Sequence, residues 1–320
     1  MSKRMKFVAA ADAATAVEMR RDERVFVIGT NLPAPLREEF GSERIRQMPI
    51  SEALITGMAV GAAADGMRPV VLWRNVTFSF VAFDQVANQA AKLRYMSGGQ
   101  RSFPIVFRCY GGGGLRMAAQ HSQSPYSIFA HLAGLKVIVP ATPADAYGLM
   151  RSAILDDNPV VSFEASILDD TEGDIPSDDH VVPIGAARVI REGDDVSVVT
   201  IGAVLNKALT AAAEVAAEGI SAEVIDLRSV APMDVKTIRE SVRRTGRLVV
   251  VDEAPATCSV SSEVAAVVAE DAKALAGLRS PVHRVTGAHV PVPYAPQLED
   301  EVLPSASRIA VAIRASVAGE

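Results

Sequence analysis

Cysteine and aromatic residues are scarce in this chain. Among its 320 residues only Cys109 and Cys258 are cysteines, and aromatic side chains make up 5% of the total. Two distant cysteines without a Cys-x-x-Cys spacing argue against a disulfide framework and a structural zinc site, and they indicate a reducing cytoplasm. The five histidines also lack the spacing of metal ligands; they are His121, His131, His180, His283 and His289.

The chain also lacks a basic segment and a long apolar run. Its formal net charge is −6, and no stripe of basic and aromatic residues is present, which argues against a nucleic-acid surface. The most apolar window, residues 55–64, is much shorter than the roughly 20 residues that span a bilayer. Asp12 and Glu18 interrupt the apolar residues near the start, so we predict an ordinary first helix and no signal peptide. We expect neither a membrane nor a nucleic acid as partner.

Several catalytic motifs are absent as well. There is no Gly-x-Gly-x-x-Gly and no phosphate-binding P-loop, so a dinucleotide or nucleoside triphosphate site has no support. Neither a Gly-x-Ser-x-Gly elbow nor a His-Glu-x-x-His pair occurs. A nicotinamide-dependent dehydrogenase or a serine hydrolase would therefore need an unusual site.

Short apolar runs alternate with longer helical patterns throughout the chain. This alternation predicts an α/β fold of two three-layer domains, each built on a parallel sheet. Residues 165–183 interrupt the pattern with two prolines and a cluster of six acidic residues. We take this segment as an acidic linker that closes a first domain at 1–183 and precedes a second domain at 184–320.

Three of the predicted helices carry specific expectations. The first covers residues 51–64, with Ser51 as N-cap and Gly66 closing the helix. The second is one long helix over residues 81–96, ended by Gly98 and Gly99. The third is a single helix over residues 261–275, and the last strong helical pattern lies near residues 305–315.

The chain is similar over nearly its whole length to the beta subunits of 2-oxoacid dehydrogenases, which decarboxylate pyruvate, branched-chain 2-oxoacids or acetoin. These proteins belong to the transketolase-like thiamin-diphosphate superfamily. The stretches that carry the resemblance are DERVF at 22–26, FDQVANQAAK at 83–92, AAQHSQ at 118–123, DDNPV at 156–160, AEVIDLRS at 222–229 and PYAPQLED at 293–300. The resemblance implies a transketolase-like pyrimidine-binding domain followed by a transketolase C-terminal domain.

It also implies an obligate partner. In this family an alpha subunit supplies a Gly-Asp-Gly…Asn-Asn motif that holds Mg²⁺ and the diphosphate of thiamin diphosphate. Here Gly-Asp occurs at 173–174 and 193–194, neither is followed by Gly, and Asn-Asn is absent. We therefore expect the active site to form with an alpha-type chain, in an α2β2 assembly that uses a lipoyl acyltransferase as acceptor.

The resemblance assigns roles to three side chains. Glu52 corresponds to the glutamate that hydrogen-bonds the aminopyrimidine ring of the cofactor, where an acid is needed to move a proton. His121 corresponds to a histidine near the reactive carbon, and an imidazole there can bind a carboxylate or shuttle protons. Phe78 corresponds to an aromatic residue that packs on the pyrimidine. Taken alone, Glu52 is also an acid suited to the first turn of a helix, His121 a hydrogen-bonded loop residue and Phe78 a core residue.

Two further features have competing interpretations. A set of five residues corresponds to a structural potassium site in some relatives, bound largely through backbone carbonyls: Ile105, Ala153, Ile154, Asp156 and Asn158. Its alternative is a plain turn after a helix, because Asp-Asp-Asn-Pro is good turn chemistry by itself. The glycine run 111–114 resembles a phosphate cradle, but a flexible active-site loop beside His121 fits better, because no helix start follows it closely.

The chain departs from its relatives at several positions. Thr30 replaces an acid near the substrate channel, about a dozen residues after Asn31 are missing, and Val81 replaces a glutamine. Arg74 stands where pyruvate-specific relatives have an apolar residue, and Arg116 enters the loop before His121. Guanidinium groups bind carboxylate or phosphate in a bidentate manner, so both arginines are candidate substrate ligands, with surface or interface charges as the alternative.

These observations predict the beta subunit of a heteromeric thiamin-diphosphate enzyme that cleaves a 2-oxoacid and transfers the activated aldehyde. The missing acid and loop favour a first alternative, the C-terminal half of a split transketolase-like carboligase. A second alternative is a non-catalytic assembly or regulatory partner, which the retention of Glu52 and His121 disfavours.

Overall fold

The computed structural model describes residues 3–320. The strands are β1 (Lys3–Lys6), β2 (Val25–Gly29), β3 (Ile45–Gln47), β4 (Arg68–Trp73), β5 (Val106–Gly111), β6 (Lys136–Ile138), β7 (Val160–Ala165), β8 (Glu172–Ile175), β9 (Arg188–Arg191), β10 (Val196–Thr200), β11 (Ala222–Asp226), β12 (Ser229–Ala231), β13 (Leu248–Pro255) and β14 (His283–Gly287).

The helices alternate with these strands. They are α1 (Phe7–Arg21), α2 (Ala34–Arg44), α3 (Glu52–Ala64), α4 (Ala91–Met96), α5 (Ala118–His121), α6 (Tyr126–Ala130), α7 (Pro143–Leu155), α8 (Val204–Ala216), α9 (Val235–Thr245), α10 (Val260–Ala269), α11 (Ala272–Gly277), α12 (Pro296–Val302) and α13 (Ala306–Ala318). Val76–Ala82 and Ser166–Leu168 form 3₁₀ turns, and Gln85–Ala90 a π-helix.

The chain divides into two compact units. The first contains residues 1–111 and 128–184, and the second contains residues 112–127 and 185–320. The segment 112–127 therefore belongs to the second unit although it lies between two stretches of the first. The boundaries 1–183 and 184–320 stay a prediction.

The first unit is built on a parallel sheet. Its strands follow the order β6-β7-β5-β4-β2-β3, and β2, β4, β5 and β7 are buried along almost their whole length. Such continuous apolar strands are typical of parallel sheets covered on both faces. A small antiparallel sheet of β1 and β8, which the sequence did not predict, lies apart from it.

The second unit has its own sheet, in the order β14-β13-β10-β11-β9. The first four strands are parallel, and β9 at the edge pairs with β11 in the antiparallel direction. The predicted α/β fold with parallel sheets is confirmed, with this one antiparallel edge as an addition.

Two predicted helices are wrong in detail. Residues 81–96 do not form one α-helix, because a 3₁₀ turn ends at Ala82 and a π-helix precedes α4. Phe80, Val81 and Phe83 lie at this break, and aromatic and β-branched side chains lose rotamer freedom in a helix. Residues 261–275 form two helices, because Asp271 accepts a hydrogen bond from the N–H of Ala274 and so starts α11 anew (2.8 Å).

Candidate active site

Glu52, Arg74 and Phe78 lie at the same edge of the first sheet. The helix α3 links two parallel strands, β3 and β4, so its first residue, Glu52, lies at the carboxyl end of the strands. Arg74 directly follows β4, and the 3₁₀ turn that contains Phe78 packs against α3. The carboxyl edge of a parallel sheet is where open α/β folds bind ligands.

Glu52 is almost buried and has no partner within the described chain. It is 9% exposed, and its carboxylate makes no hydrogen bond or ion pair with any side chain or backbone group of residues 3–320. Ser51 occupies the predicted N-cap position, but its hydroxyl donates to the carbonyl of Pro49 (3.1 Å) and does not cap the helix. A carboxylate that no group of its own chain engages, at the carboxyl edge of the sheet, is open to a ligand from outside this chain.

The segment before Phe78 is held by its own side chains. Asn75 is buried and caps the 3₁₀ turn, because its Oδ1 accepts from the N–H (3.0 Å) and the hydroxyl (2.8 Å) of Thr77. The N–H of Phe78 donates to the carbonyl of Asn75 (3.1 Å). Phe78 itself is partly buried, so it neither belongs wholly to the core nor stands free in solvent.

Arg74 lies beside a group of ionisable side chains. Its guanidinium is exposed and stands 5.6 Å from the centre of the Tyr110 ring. Burial raises the pKa of the Asp169 carboxyl to about 6, and the nearby Glu164 carboxylate acts in the same direction. Among residues 3–320, Arg74 lies within ion-pair distance of no carboxylate. Arg74 does act on the Asp169 carboxyl over a longer distance and lowers its pKa, and its exposed guanidinium remains a candidate anion ligand.

Beneath this edge lies a buried ion-pair network that the sequence did not predict. Arg108 on β5 donates to both oxygens of Glu164 on β7 (2.7 and 2.9 Å), and to Asp12 on α1 (2.5 Å). Arg108 is 2% exposed and Glu164 is fully buried. The sequence did contain a sign of this network, because Arg108 and Glu164 are each a charged residue inside a largely apolar strand, and charged residues are rarely buried without a partner.

His121 lies in the segment 112–127 of the second unit. It is partly exposed and ends the four-residue helix α5. The N–H of Gly112 donates to the carbonyl of Gln123 (3.0 Å), which closes the loop around this helix. At the end of the segment, the hydroxyl of Tyr126 donates to Asp252 on β13. We predicted no helix start close to the glycine run, so the short helix that begins at Ala118 was missed.

The glycine run does not form an open phosphate cradle. The N–H groups of Gly113 and Gly114 donate to the carboxylates of Glu253 and Glu299 (both 2.8 Å). Arg116 follows them, and its guanidinium donates to Glu299 and Asp300 (both 2.8 Å). The charge of Arg116 is therefore compensated within the second unit, which favours the structural interpretation of this arginine over substrate binding.

The candidate potassium residues lie together at the opposite edge of the first sheet. Ile105 directly precedes β5 and its carbonyl accepts from the N–H of Val160 (2.8 Å). Ala153 and Ile154 belong to the last turn of α7, and the Ala153 carbonyl accepts from the N–H of Asp156 (3.3 Å), which leaves its second lone pair for an ion. The Asp156 carboxylate already bonds Lys136 and Asn158, so an ion here would take backbone carbonyls.

The connection between β2 and α2 is short. It covers residues 30–33, and Leu32 within it is buried and donates its N–H to Gln47 (3.0 Å). Within residues 3–320 no group of three or more His, Cys, Asp or Glu side chains is arranged to hold a metal ion. None of the helices in that range is long and apolar enough to cross a membrane.

Two family models match the chain. The transketolase pyrimidine binding domain matches residues 3–166, and the transketolase C-terminal domain matches residues 185–309. Among solved structures, the chain is similar to a split-gene transketolase described as an inactive beta4 tetramer, with a TM-score of 0.80, 24% identity and 97% of both chains covered. This likeness shows the fold alone.

The curated relatives are more specific. The chain is 41% identical to the beta subunit of acetoin:2,6-dichlorophenolindophenol oxidoreductase from Cupriavidus necator, with 100% of this chain and 99% of the relative covered. It is 41% identical to the beta subunit of 2-oxoisovalerate dehydrogenase from Bacillus subtilis (97% and 98% covered). It is 44% identical to the pyruvate dehydrogenase E1 component subunit beta from Rhizobium meliloti (94% and 67% covered). The chain belongs to the family of beta subunits of thiamin-diphosphate-dependent 2-oxoacid dehydrogenases.

Proposed function

We propose that this chain is the beta subunit of an enzyme that cleaves the bond next to the carbonyl of a 2-oxoacid or of acetoin and passes the activated aldehyde to an acceptor. The observation that carries this proposal is Glu52, a nearly buried carboxylate without a partner among the described residues, at the carboxyl edge of a transketolase-type sheet. A carboxyl group so placed fits the aminopyrimidine of thiamin diphosphate.

Thiamin diphosphate supplies, when bound, a carbon that attacks carbonyl groups after losing a proton. The role of Glu52 is to hold a proton at a ring nitrogen of the aminopyrimidine and so to favour that loss. Phe78, on the turn that packs against α3, covers the pyrimidine. His121 exchanges protons with the substrate or binds its carboxylate, and the exposed guanidinium of Arg74 binds an anionic part of the substrate.

The rest of the cofactor site comes from another chain. This sequence contains no Gly-Asp-Gly and no Asn-Asn, so an alpha-type subunit holds Mg²⁺ and the diphosphate, and two of each chain form an α2β2 assembly in the cytoplasm. The acceptor is the lipoyl group of an acyltransferase. The boundary between a pyrimidine-binding domain (1–183) and a C-terminal domain (184–320) belongs to the same proposal.

Potassium is part of the proposal as a structural ion. The carbonyls of Ala153 and Ile154 at the end of α7 and that of Ile105 suit a large monovalent cation bound by neutral oxygens, with Asp156 and Asn158 completing the turn. Because these residues lie at the amino ends of β5 and β7, the ion would stabilise the first unit without contacting the substrate.

The experiment is co-expression with an alpha-type subunit of this family, followed by measurement of thiamin-diphosphate binding and products. Pyruvate, branched 2-oxoacids and acetoin are the donors, and a lipoyl domain and an aldehyde are the acceptors. Acyl-lipoyl product supports the proposal. A ketol product without lipoyl transfer would overturn the assignment of the acceptor.

The variant that tests the carrying observation is Glu52→Gln in the same complex. We expect turnover to fall at least 10²-fold because proton transfer to the ring nitrogen is lost, while the subunits still co-purify. Asp65→Asn is the matched control, because Asp65 is an exposed acid at the other end of α3. Turnover of Glu52→Gln equal to that of the control would contradict the role of Glu52.

A further inference from the structure

The segment 112–127 is fixed at both ends by carboxylates of the second unit. At its start, Glu253 accepts from the N–H of Gly113 (2.8 Å), and Glu299 accepts from the N–H groups of Gly114 (2.8 Å) and Arg116 (3.1 Å). At its end, Glu253 also accepts from the hydroxyl of Ser124 (2.6 Å). His121 lies between these two anchored ends.

The backbone at the start of the segment has the form of an anion-binding nest. Gly112 and Gly114 have φ angles of +87° and +95°, which only glycine adopts at low cost. Successive N–H groups in such a conformation converge on one negative charge. In other proteins that charge is often a phosphate, whereas here the two N–H groups bind two carboxylates of the same chain, Gly113 to Glu253 and Gly114 to Glu299.

The segment also contains backbone strain that needs support. Arg116 and Ala118 have φ angles of +59° and +61°, a left-handed conformation that costs a non-glycine residue of the order of 1 kcal/mol or more. Such residues persist when surrounding contacts determine their conformation. For Arg116 those contacts are the bonds of its N–H and its guanidinium to Glu299.

Glu299 is placed to act as a fixed anchor. It is fully buried and lies on α12, and Leu303, one residue beyond that helix, packs directly under the glycine run. A Cβ atom at Gly113 would lie 2.7 Å from Leu303 Cδ1, so the absence of a side chain lets the segment approach this surface closely. A fully buried carboxylate that accepts three charge-assisted or backbone hydrogen bonds has little freedom to move.

We propose that Glu253 and Glu299 are positioning residues for the His121 imidazole. They act through the backbone of residues 113–116 and the hydroxyl of Ser124, and they do not touch the substrate. This inference rests on the proposed function for its consequence, since a positioned imidazole matters to turnover only if His121 takes part in the reaction. The anchoring of the segment itself does not depend on that role.

The first test is hydrogen–deuterium exchange of the assembled complex, read in peptides that cover residues 112–123. Glu299→Gln keeps the shape of the side chain but loses the charge and one acceptor oxygen, so we expect faster exchange in these peptides and no change in α7. Glu301→Gln on the same helix is the control, because Glu301 is exposed. Unchanged exchange in Glu299→Gln would overturn the inference.

The second test is kinetic and separates positioning from a structural effect. A displacement of about 1 Å of a catalytic group can lower turnover about 10²-fold, so we expect Glu299→Gln to lower kcat 10- to 100-fold with KM little changed. In a His121→Asn background the same substitution should have almost no further effect, because both changes then remove one function. An equal loss in both backgrounds would overturn the inference.

The two tests distinguish failure of the proposed role of His121 from failure of the anchoring by Glu253 and Glu299. If His121→Asn keeps full turnover while Glu299→Gln still raises exchange, the proposed role of His121 fails and the anchoring stands. If Glu299→Gln does not yield folded protein, Glu253→Gln replaces it, since Glu253 is only partly buried and anchors both ends of the segment. The same exchange and kcat criteria then apply to Glu253→Gln.

Discussion

At Asp252, burial and hydrogen bonding act in opposite directions on one carboxyl group. Burial raises its pKa, the hydrogen bond from Tyr126 and the N–H groups of Ala254 and Ser261 lower it, and the result is a pKa of about 6. This residue connects the end of the His121 segment to β13. The protonation state of a single buried side chain therefore contributes to the stability of the second unit.

We predict that Asp252 contributes to the free energy of unfolding and that this contribution falls as pH rises. The folded pKa lies above the unfolded value, so the contribution is fully present below about pH 4 and is lost as pH rises through about 6. The free energy of unfolding of the wild-type chain minus that of Asp252→Asn should fall by about 1–3 kcal/mol between these limits. Urea denaturation of both chains at several pH values measures it. A difference that stays constant with pH would contradict the prediction.

At the scale of single elements, β5 is the strand that links the candidate site to the core. Arg108 in its centre joins three elements, because Glu164 lies on β7 and Asp12 on α1. Two carboxylates around one guanidinium replace the apolar packing found elsewhere on this strand. Breaking such a pair leaves a buried charge, whereas replacing both partners by neutral groups costs much less.

We predict that Arg108→Met destabilises the chain by about 3–5 kcal/mol, because Glu164 then remains buried with Ser162 as its remaining donor (3.2 Å). The double variant Arg108→Met/Glu164→Gln should recover most of this loss. Arg4→Met is the control, since its bond to Glu172 joins two exposed side chains, and its loss should leave the free energy of unfolding almost unchanged. Urea denaturation measures the free energy of unfolding of each variant. Equal values for Arg108→Met and Arg4→Met would refute the stabilising role of the buried Arg108 network.

At the scale of the whole molecule, the first unit exposes apolar surface that an isolated chain would not need. The exposed apolar side chains on α3 are Leu54 and Met58, and Ile50 lies two residues before this helix. The adjoining 3₁₀ turn adds Phe80 and Val81. A helix that is apolar on nearly all sides is normally buried. We infer that this surface is covered by the alpha-type subunit of the proposed assembly.

We therefore predict that Leu54→Glu prevents co-purification with the alpha-type subunit, because a charge cannot enter an apolar interface without a partner. Leu275→Glu on α11 is the matched control, since the two leucines are similarly exposed, at 54% and 51%. Circular dichroism should show both variants folded. Retention of the partner by Leu54→Glu at wild-type level would show that the subunit binds elsewhere.

Much of this architecture follows from the sequence by itself. The alternation of apolar runs and helical patterns predicted parallel sheets, because buried parallel strands need apolar residues on both faces. Ser305 was close to the start of the last helical pattern, and its hydroxyl caps α13. The motifs at 83–92, 118–123 and 293–300 occur in the same order as in the family and so indicated the resemblance. Each is a run of consecutive residues, which can be recognised without knowing the fold.

Other features depend on residues that are distant in the sequence. The carboxylate of Glu299 lies 185 positions from Gly114, and Glu164 lies 56 positions from Arg108. No local pattern predicts which buried carboxylate meets which donor, because that pairing depends on strand order and on the packing of helices against the sheet. The sequence by itself determined the fold class, the family and the position of Glu52 at a helix start. Only the tertiary structure decided that the glycine run before His121 holds carboxylates of its own chain, because only folding brings those charges to the same backbone N–H groups.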